Sequence, residues 1–170
     1  MRDLDIFKTI QCWLQQPESV WLCTVLETWG SSPRPRGSLL ACNARGEFIG
    51  SLSGGCVEED LIARIVKGEF SSPVSRIRYG EKAEDSERFR LPCGGILDVV
   101  IERLNPSMKL DDAIILIIDA LARRRRVVLH RDFIEEKLLV SAPEPDSPDL
   151  FVVEDGNKKI CAISHALGPQ

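Results

Sequence analysis

Hydrophobic positions in this sequence alternate between a helical and an extended period. Leu4, Phe7, Ile10, Trp13 and Leu14 share one helical face across residues 3–16 and Pro17 follows as a stop, so the chain predicts an opening amphipathic helix with Cys12 packed on it. Val20 to Leu26 is β-branched and almost continuously apolar, as in a central strand covered on both faces. Ser38–Cys42 and Glu47–Leu52 flank a turn at Asn43 to Gly46 and predict a hairpin. Val57, Leu61, Ile62, Ile65 and Val66 return to helical spacing, which places a helix over about 56–67 that ends near Gly68. A strand is expected over 73–79, a charged surface loop over 80–90 and a strand over 96–102. Leu110, Ile114, Ile117, Ile118 and Leu121 predict a well-buried helix over 110–125, closed by Arg123 to Arg126. Strand-like segments at 127–133, 137–141, 150–154 and 158–163 follow, the last two expected to pair as a hairpin. The fold class is therefore α/β: a central sheet flanked by helices, with additional antiparallel hairpins.

Composition narrows the function. A chain of 170 residues with 44% hydrophobic content has room for one core, and residues 1–165 read as a single domain. A net charge of −4 disfavours nucleic acid as a general partner. No run approaches the roughly 18 apolar residues of a membrane span, and the acidic start is unlike a signal peptide, so no membrane association and a cytoplasmic location are expected. Six cysteines stand at 12, 23, 42, 56, 93 and 161 without a C-x-x-C pair, and only two histidines exist, so zinc-site spacing is missing and free thiols are expected.

Three stretches carry the candidate chemistry. Residues 30–37, Gly-Ser-Ser-Pro-Arg-Pro-Arg-Gly, form a loop holding the hydroxyls of Ser31 and Ser32 and the guanidiniums of Arg34 and Arg36. Ser53, Gly54, Gly55, Cys56 and Glu58 join a strand to a helix. There, glycines let a ligand approach the backbone, amides at the helix start attract anions, and a thiol in the first turn would favour thiolate. With Gly55 as the cap, Glu58 would fall at the third helical position and answer the dipole. Cys93, Gly94 and Gly95 repeat the signal before a strand. An isolated Gly-Gly-Cys is a turn with a small packed thiol. Beside two such loops and two arginines it reads as a site for an anionic ligand containing phosphate and sulfur or a metal.

These three stretches, in this order and at these separations, resemble the N-terminal domain of the XdhC/CoxI family of molybdenum-hydroxylase maturation factors. The resemblance covers about residues 1–105 and extends less distinctively over 106–165. It implies a chaperone that binds the molybdenum cofactor (molybdopterin), protects it while its terminal sulfur is installed, and delivers it to apo xanthine dehydrogenase or a related molybdenum hydroxylase. It also implies a cysteine desulfurase as a further partner, and Cys56 facing the metal through the bound cofactor. Family members commonly continue into a Rossmann-like domain, which this sequence lacks together with any G-x-G-x-x-G; a homodimer through exposed apolar surface is then an option. A sulfurtransferase-like enzyme with Cys56 as nucleophile is a second reading, and its missing base argues against it. A non-catalytic interaction module docking through Arg123 to Arg126 is a third. Loops of this kind are expected to gather at one end of an α/β sheet. The thiols of Cys56 and Cys93 would then lie within about 10 Å of each other, on a pocket of about 300–1,000 Å³ bordered by Arg34 or Arg36.

Overall fold

The structure is a computed structural model that describes residues 2–29, 35–53, 55, 57–80 and 95–169. Its elements are α1 (Asp3–Leu14), β1 (Val20–Trp29), β2 (Leu39–Asn43), β3 (Phe48–Gly50), α2 (Glu58–Val66), β4 (Val74–Tyr79), β5 (Ile96–Leu104), α3 (Met108–Ala122), β6 (Val127–Asp132), β7 (Lys137–Ser141), β8 (Leu150–Glu154) and β9 (Ile160–Leu167). The α/β class expected from the period changes is found. The strands, however, form two antiparallel sheets, ordered β3-β2-β1-β5-β4 and β7-β6-β9-β8. The chain divides into two compact units, one of residues 19–104 and one combining 1–18 with 105–170.

In the 19–104 unit, β1 is central because it pairs on both sides, with β2 over Val20–Thr24 and with β5 along most of its ten residues. Trp21, Cys23 and Val25 point to one face and meet Leu97, Val99 and Ile101 of β5, while Leu61 and Ile65 of α2, with Val57 just before it, supply the apolar side that covers them. The β2–β3 turn is set by Asn43, whose side-chain oxygen accepts from the amides of Arg45 and Glu47 at 3.0 and 3.1 Å. A register shift in β1 between Val25 and Glu27 marks a bulge at Leu26.

The other unit places α1 and α3 with the second sheet. Ile6, Phe7, Ile10, Trp13 and Leu14 are the buried stripe of α1, and Leu110, Ala113, Ile114, Ile117 and Leu121 that of α3. Cys12, expected to pack, is exposed, because position 12 lies off that stripe. Helix α3 begins before residue 110, since Ser107 caps it by accepting from the Leu110 amide at 3.1 Å. Strands β8 and β9 pair as expected, and Asp155 holds their turn by accepting from the amides of Asn157 and Lys159.

Candidate functional site

Strand register determines where the three candidate loops open. Trp29, the last residue of β1, pairs with Ile96, the first of β5. At the same end, Thr24 pairs with Leu39 at the start of β2, Leu40 with Gly50 at the end of β3, and Tyr79 at the end of β4 with Leu97. The segments following Trp29, Gly50 and Tyr79 therefore all leave the five-stranded sheet at one end. The rule for open parallel sheets does not supply this result, because the sheet is wholly antiparallel. Alternate connections in an antiparallel sheet return to the same end, and here those are β1–β2, β3–α2 and β4–β5.

Several predicted site residues lie outside the described residues: Ser31, Ser32, Arg34, Gly54, Cys56, Cys93 and Gly94. So does the expected separation of Cys56 and Cys93, and so does the charged stretch 81–90. Arg36, Ser53, Gly55, Glu58 and Gly95 are described. Arg36 is exposed, and its Nε donates to the carbonyl of Leu26 at 2.8 Å. The bulge in β1 thus frees a carbonyl that anchors one of the five guanidinium N–H donors and sets the direction of the group.

Glu58, expected at the third position of its helix, is instead the first residue of α2, after Val57. Its carboxylate turns back into the preceding turn and is only 5% exposed. Oε1 accepts from the amides of Leu52 and Ser53, both at 2.8 Å, and from the Ser51 hydroxyl at 3.2 Å. The Ser53 hydroxyl lies 2.8 Å from Oε2 and accepts from the Val57 amide at 3.1 Å. Burial pushes the Glu58 carboxyl up, but the amides of Leu52 and Ser53 and the Ser53 hydroxyl outweigh it, so it sits below the ordinary carboxylate value. Ser53, itself buried, and Glu58 thus form an internal brace. The brace holds the backbone on which Gly55 is presented. Gly55 is exposed at φ +111, and no atom lies within 4 Å of where a Cβ would stand. Only the backbone conformation demands glycine there, and it leaves the main chain open to approach.

The third segment is pinned at its base. A Cβ on Gly80, at φ +86, would run into the carbonyl of Gly95. Beside it, the buried Tyr79 donates its hydroxyl to Asp60 of α2 at 3.0 Å. Burial first, then the Asp60 carboxylate, hold the Tyr79 phenol far above its usual value, so it stays a donor. This bond links the first turn of α2 to the strand that precedes residues 81–94. Across the neighbouring strands, Arg76 meets Asp98 through Nε and Nη2, at 2.9 and 2.5 Å, and Arg78 approaches the same carboxylate at 3.5 Å. Sequence reading missed both clusters. Their partners are 19 to 22 positions apart, so only strand pairing, for Arg76 and Asp98, and the packing of α2 beside β4, for Tyr79 and Asp60, bring them together.

Cys23 and Cys42 sit in the core. Burial raises both thiols, Cys42 to about 12. Both are therefore packing groups at neutral pH. Among the described residues, no group of three or more His, Cys, Asp or Glu could hold a metal ion, and no helix is long and apolar enough to cross a membrane.

The fold and the loop geometry define a mixed α/β protein whose glycine-bearing segments and anchored arginine share one end of an antiparallel sheet. Residues 13–74 match the XdhC and CoxI family. It is similar to a probable xanthine dehydrogenase component of Bacillus subtilis, with 34% identity over 98 residues covering 56% of this chain and 30% of the relative. It is also similar to the molybdenum cofactor insertion chaperone PaoD of Escherichia coli, with 30% identity over 111 residues covering 65% of this chain and 33% of the relative. The chain spans about a third of the length of these curated relatives. A crystal structure of a xanthine dehydrogenase from Bacillus halodurans shares the fold, with a TM-score of 0.65 and 19% identity over 100% of this chain and 54% of that one.

Proposed function

We propose that this chain binds the molybdenum cofactor as cargo, shields it, and helps insert its sulfurated form into xanthine dehydrogenase or a related molybdenum hydroxylase, without turning over a substrate itself. The observation that carries the reading is that the family segment, residues 13–74, contains two of the three loops that leave the sheet at one end. One relative bears the name of a molybdenum cofactor insertion chaperone, which supplies the chemical identity of the cargo.

The described groups fit an anionic, bulky ligand. Arg36 offers an exposed guanidinium anchored at one N–H, and Gly55 leaves backbone uncovered. The carboxylate braced into that turn, Glu58, is turned inward onto amide and hydroxyl donors, so its oxygens are not presented to a ligand. In this reading Arg34 and Arg36, with the amides of residues 54–56, hold the phosphate or other anionic edge. Ser31 and Ser32 add hydroxyl contacts, and Gly94 and Gly95 leave backbone space on the other side. Cys56, with Cys93, faces the metal or its sulfur. Ser53 and Glu58 act one step removed, by setting the turn. The bound cofactor supplies the molybdenum centre itself; the chain supplies charge, thiols and exclusion of water.

The thiol-enzyme reading fares less well, since neither histidine, 130 or 165, lies in any of the three candidate stretches. A cysteine desulfurase is the class of enzyme that would supply the sulfur. A cytoplasmic location and a homodimer belong to the same reading, and light scattering measures the second. The test is titration of the purified chain with freshly released molybdenum cofactor, followed by retention on ultrafiltration. Saturable retention that weakens about tenfold in Arg36→Ala, the loss of one charge-assisted contact, supports the reading. No retention by the wild type overturns it.

A further inference from the structure

Helix α3 ends in an unusual way. The amide of Arg125 donates to the carbonyl of Ala120 at 2.9 Å and that of Arg124 to Leu121 at 3.0 Å, the paired bonds of a Schellman stop. The residue after the cap in such a stop adopts left-handed backbone and is usually glycine. Here it is Arg124, at φ +59. A side chain with a Cβ is strained in that conformation. The strained arginine lines a cavity of about 430 Å³ whose wall also includes Arg2, Leu4, Leu121 and Pro169. Asp3 lines it too, but one of its oxygens is engaged by the Gly168 amide at 2.8 Å.

The rim is cationic in a chain of net charge −4. Arg123 pairs with Asp119 and Arg126 with Asp149, which gives those two a local reason to be there. Arg2 approaches Asp5 at 3.6 Å across exposed surface, a separation that leaves most of its donors for another group. Arg124 and Arg125 are exposed. The helix C-terminus favours positive charge, but that preference does not require arginine in the position where glycine costs least. We propose that this cavity and its rim are a docking site for an acidic segment of a partner protein, an acidic side chain meeting Arg124 and Arg2 and an adjacent apolar one resting on Leu4, Leu121 and Pro169. An extended polypeptide fits better than a small anion, because the lining asks for an acidic group at Arg2 and Arg124 and an apolar one at Leu4, Leu121 and Pro169. The site lies wholly in the unit formed by residues 1–18 and 105–170, and the proposal does not depend on cofactor binding.

The test uses the full chain and a short fluorescein-labelled peptide carrying glutamate and leucine, with anisotropy as readout. Wild type should bind saturably, and more weakly as salt rises. Arg124→Gly and Arg124→Gln should each weaken binding about tenfold, while Arg123→Gln, which removes an arginine already paired, should bind as wild type does. Arg124→Gly should also melt at or above the wild-type temperature, since it relieves the left-handed strain. Absence of saturable binding, equal binding of a peptide with glutamine in place of glutamate, unchanged binding by Arg124→Gly, or a lower melting temperature in that variant would each overturn the proposal.

Discussion

Removing the Glu58 carboxylate should unlock the turn that presents Gly55. In Glu58→Ala the amides of Leu52 and Ser53, both on buried residues, lose their acceptor, and the Ser53 hydroxyl loses its partner. A buried donor left unpaired costs about 1–3 kcal/mol. Two amides give about 2–6 kcal/mol, reduced by the desolvation that the carboxylate no longer suffers, so about 3 kcal/mol is the working figure. Glu58→Gln keeps an acceptor oxygen but loses its charge, and should cost about 1 kcal/mol. The assay is hydrogen exchange of the peptide spanning residues 50–58, where about 3 kcal/mol corresponds to roughly a hundredfold loss of protection. The same measurement has a pH signature. The folded carboxyl sits below its ordinary value of 4.5, so its contribution is complete above that value and disappears as pH falls through the lower folded one. Glu58→Gln should lack that acid limb. If Glu58→Ala exchanged as slowly as wild type, or Glu58→Gln kept the full acid limb, the brace would have no energetic meaning.

Two further outcomes follow from the same unit. Tyr79→Phe keeps the ring packing and deletes the bond to Asp60, so urea unfolding should show a loss of about 1.5–3 kcal/mol, and an unchanged midpoint would remove the link between α2 and β4. The buried thiols predict alkaline sensitivity: stability is complete below the ordinary thiol value of 9.0 and declines as pH rises from there through about 12. The unfolded chain ionises first over that range. A Cys23→Ala, Cys42→Ala variant should show a shallower decline between those limits, read from denaturation midpoints against pH.

Much of the fold was legible because each element carries its own period. The stripe from Phe7 to Leu14 and the run from Val20 to Leu26 need no partner to be recognised. Which strands pair is a different kind of fact. Val20 pairs with both Asn43 and Leu104, and nothing local distinguishes that arrangement from a single sheet with attached hairpins. Start signals mislead where two mechanisms share one residue type. Glu58 looks like a capping carboxylate, yet its oxygens serve amides five and six positions back. Ser107 is a legible cap, passed over because the apolar stripe that set the expected start begins only at Leu110. The candidate site was readable as three stretches of glycine, arginine and cysteine. Their common end of the sheet was not readable, since it follows from antiparallel register. The Tyr79–Asp60 and Arg76–Asp98 pairs left no trace in composition or spacing.

The central claim is that residues of the shared sheet end carry a labile cofactor to another protein, and transfer measures this most directly. Purified chain loaded with molybdenum cofactor is mixed with apo xanthine dehydrogenase, and the activity that appears is compared with that from free cofactor at the same concentration. Delivery by the chain predicts faster and more complete activation from the loaded protein, reduced in Cys56→Ala and in Arg36→Ala while both variants unfold at wild-type midpoints. Equal activation by free cofactor, wild type and Cys56→Ala would contradict it.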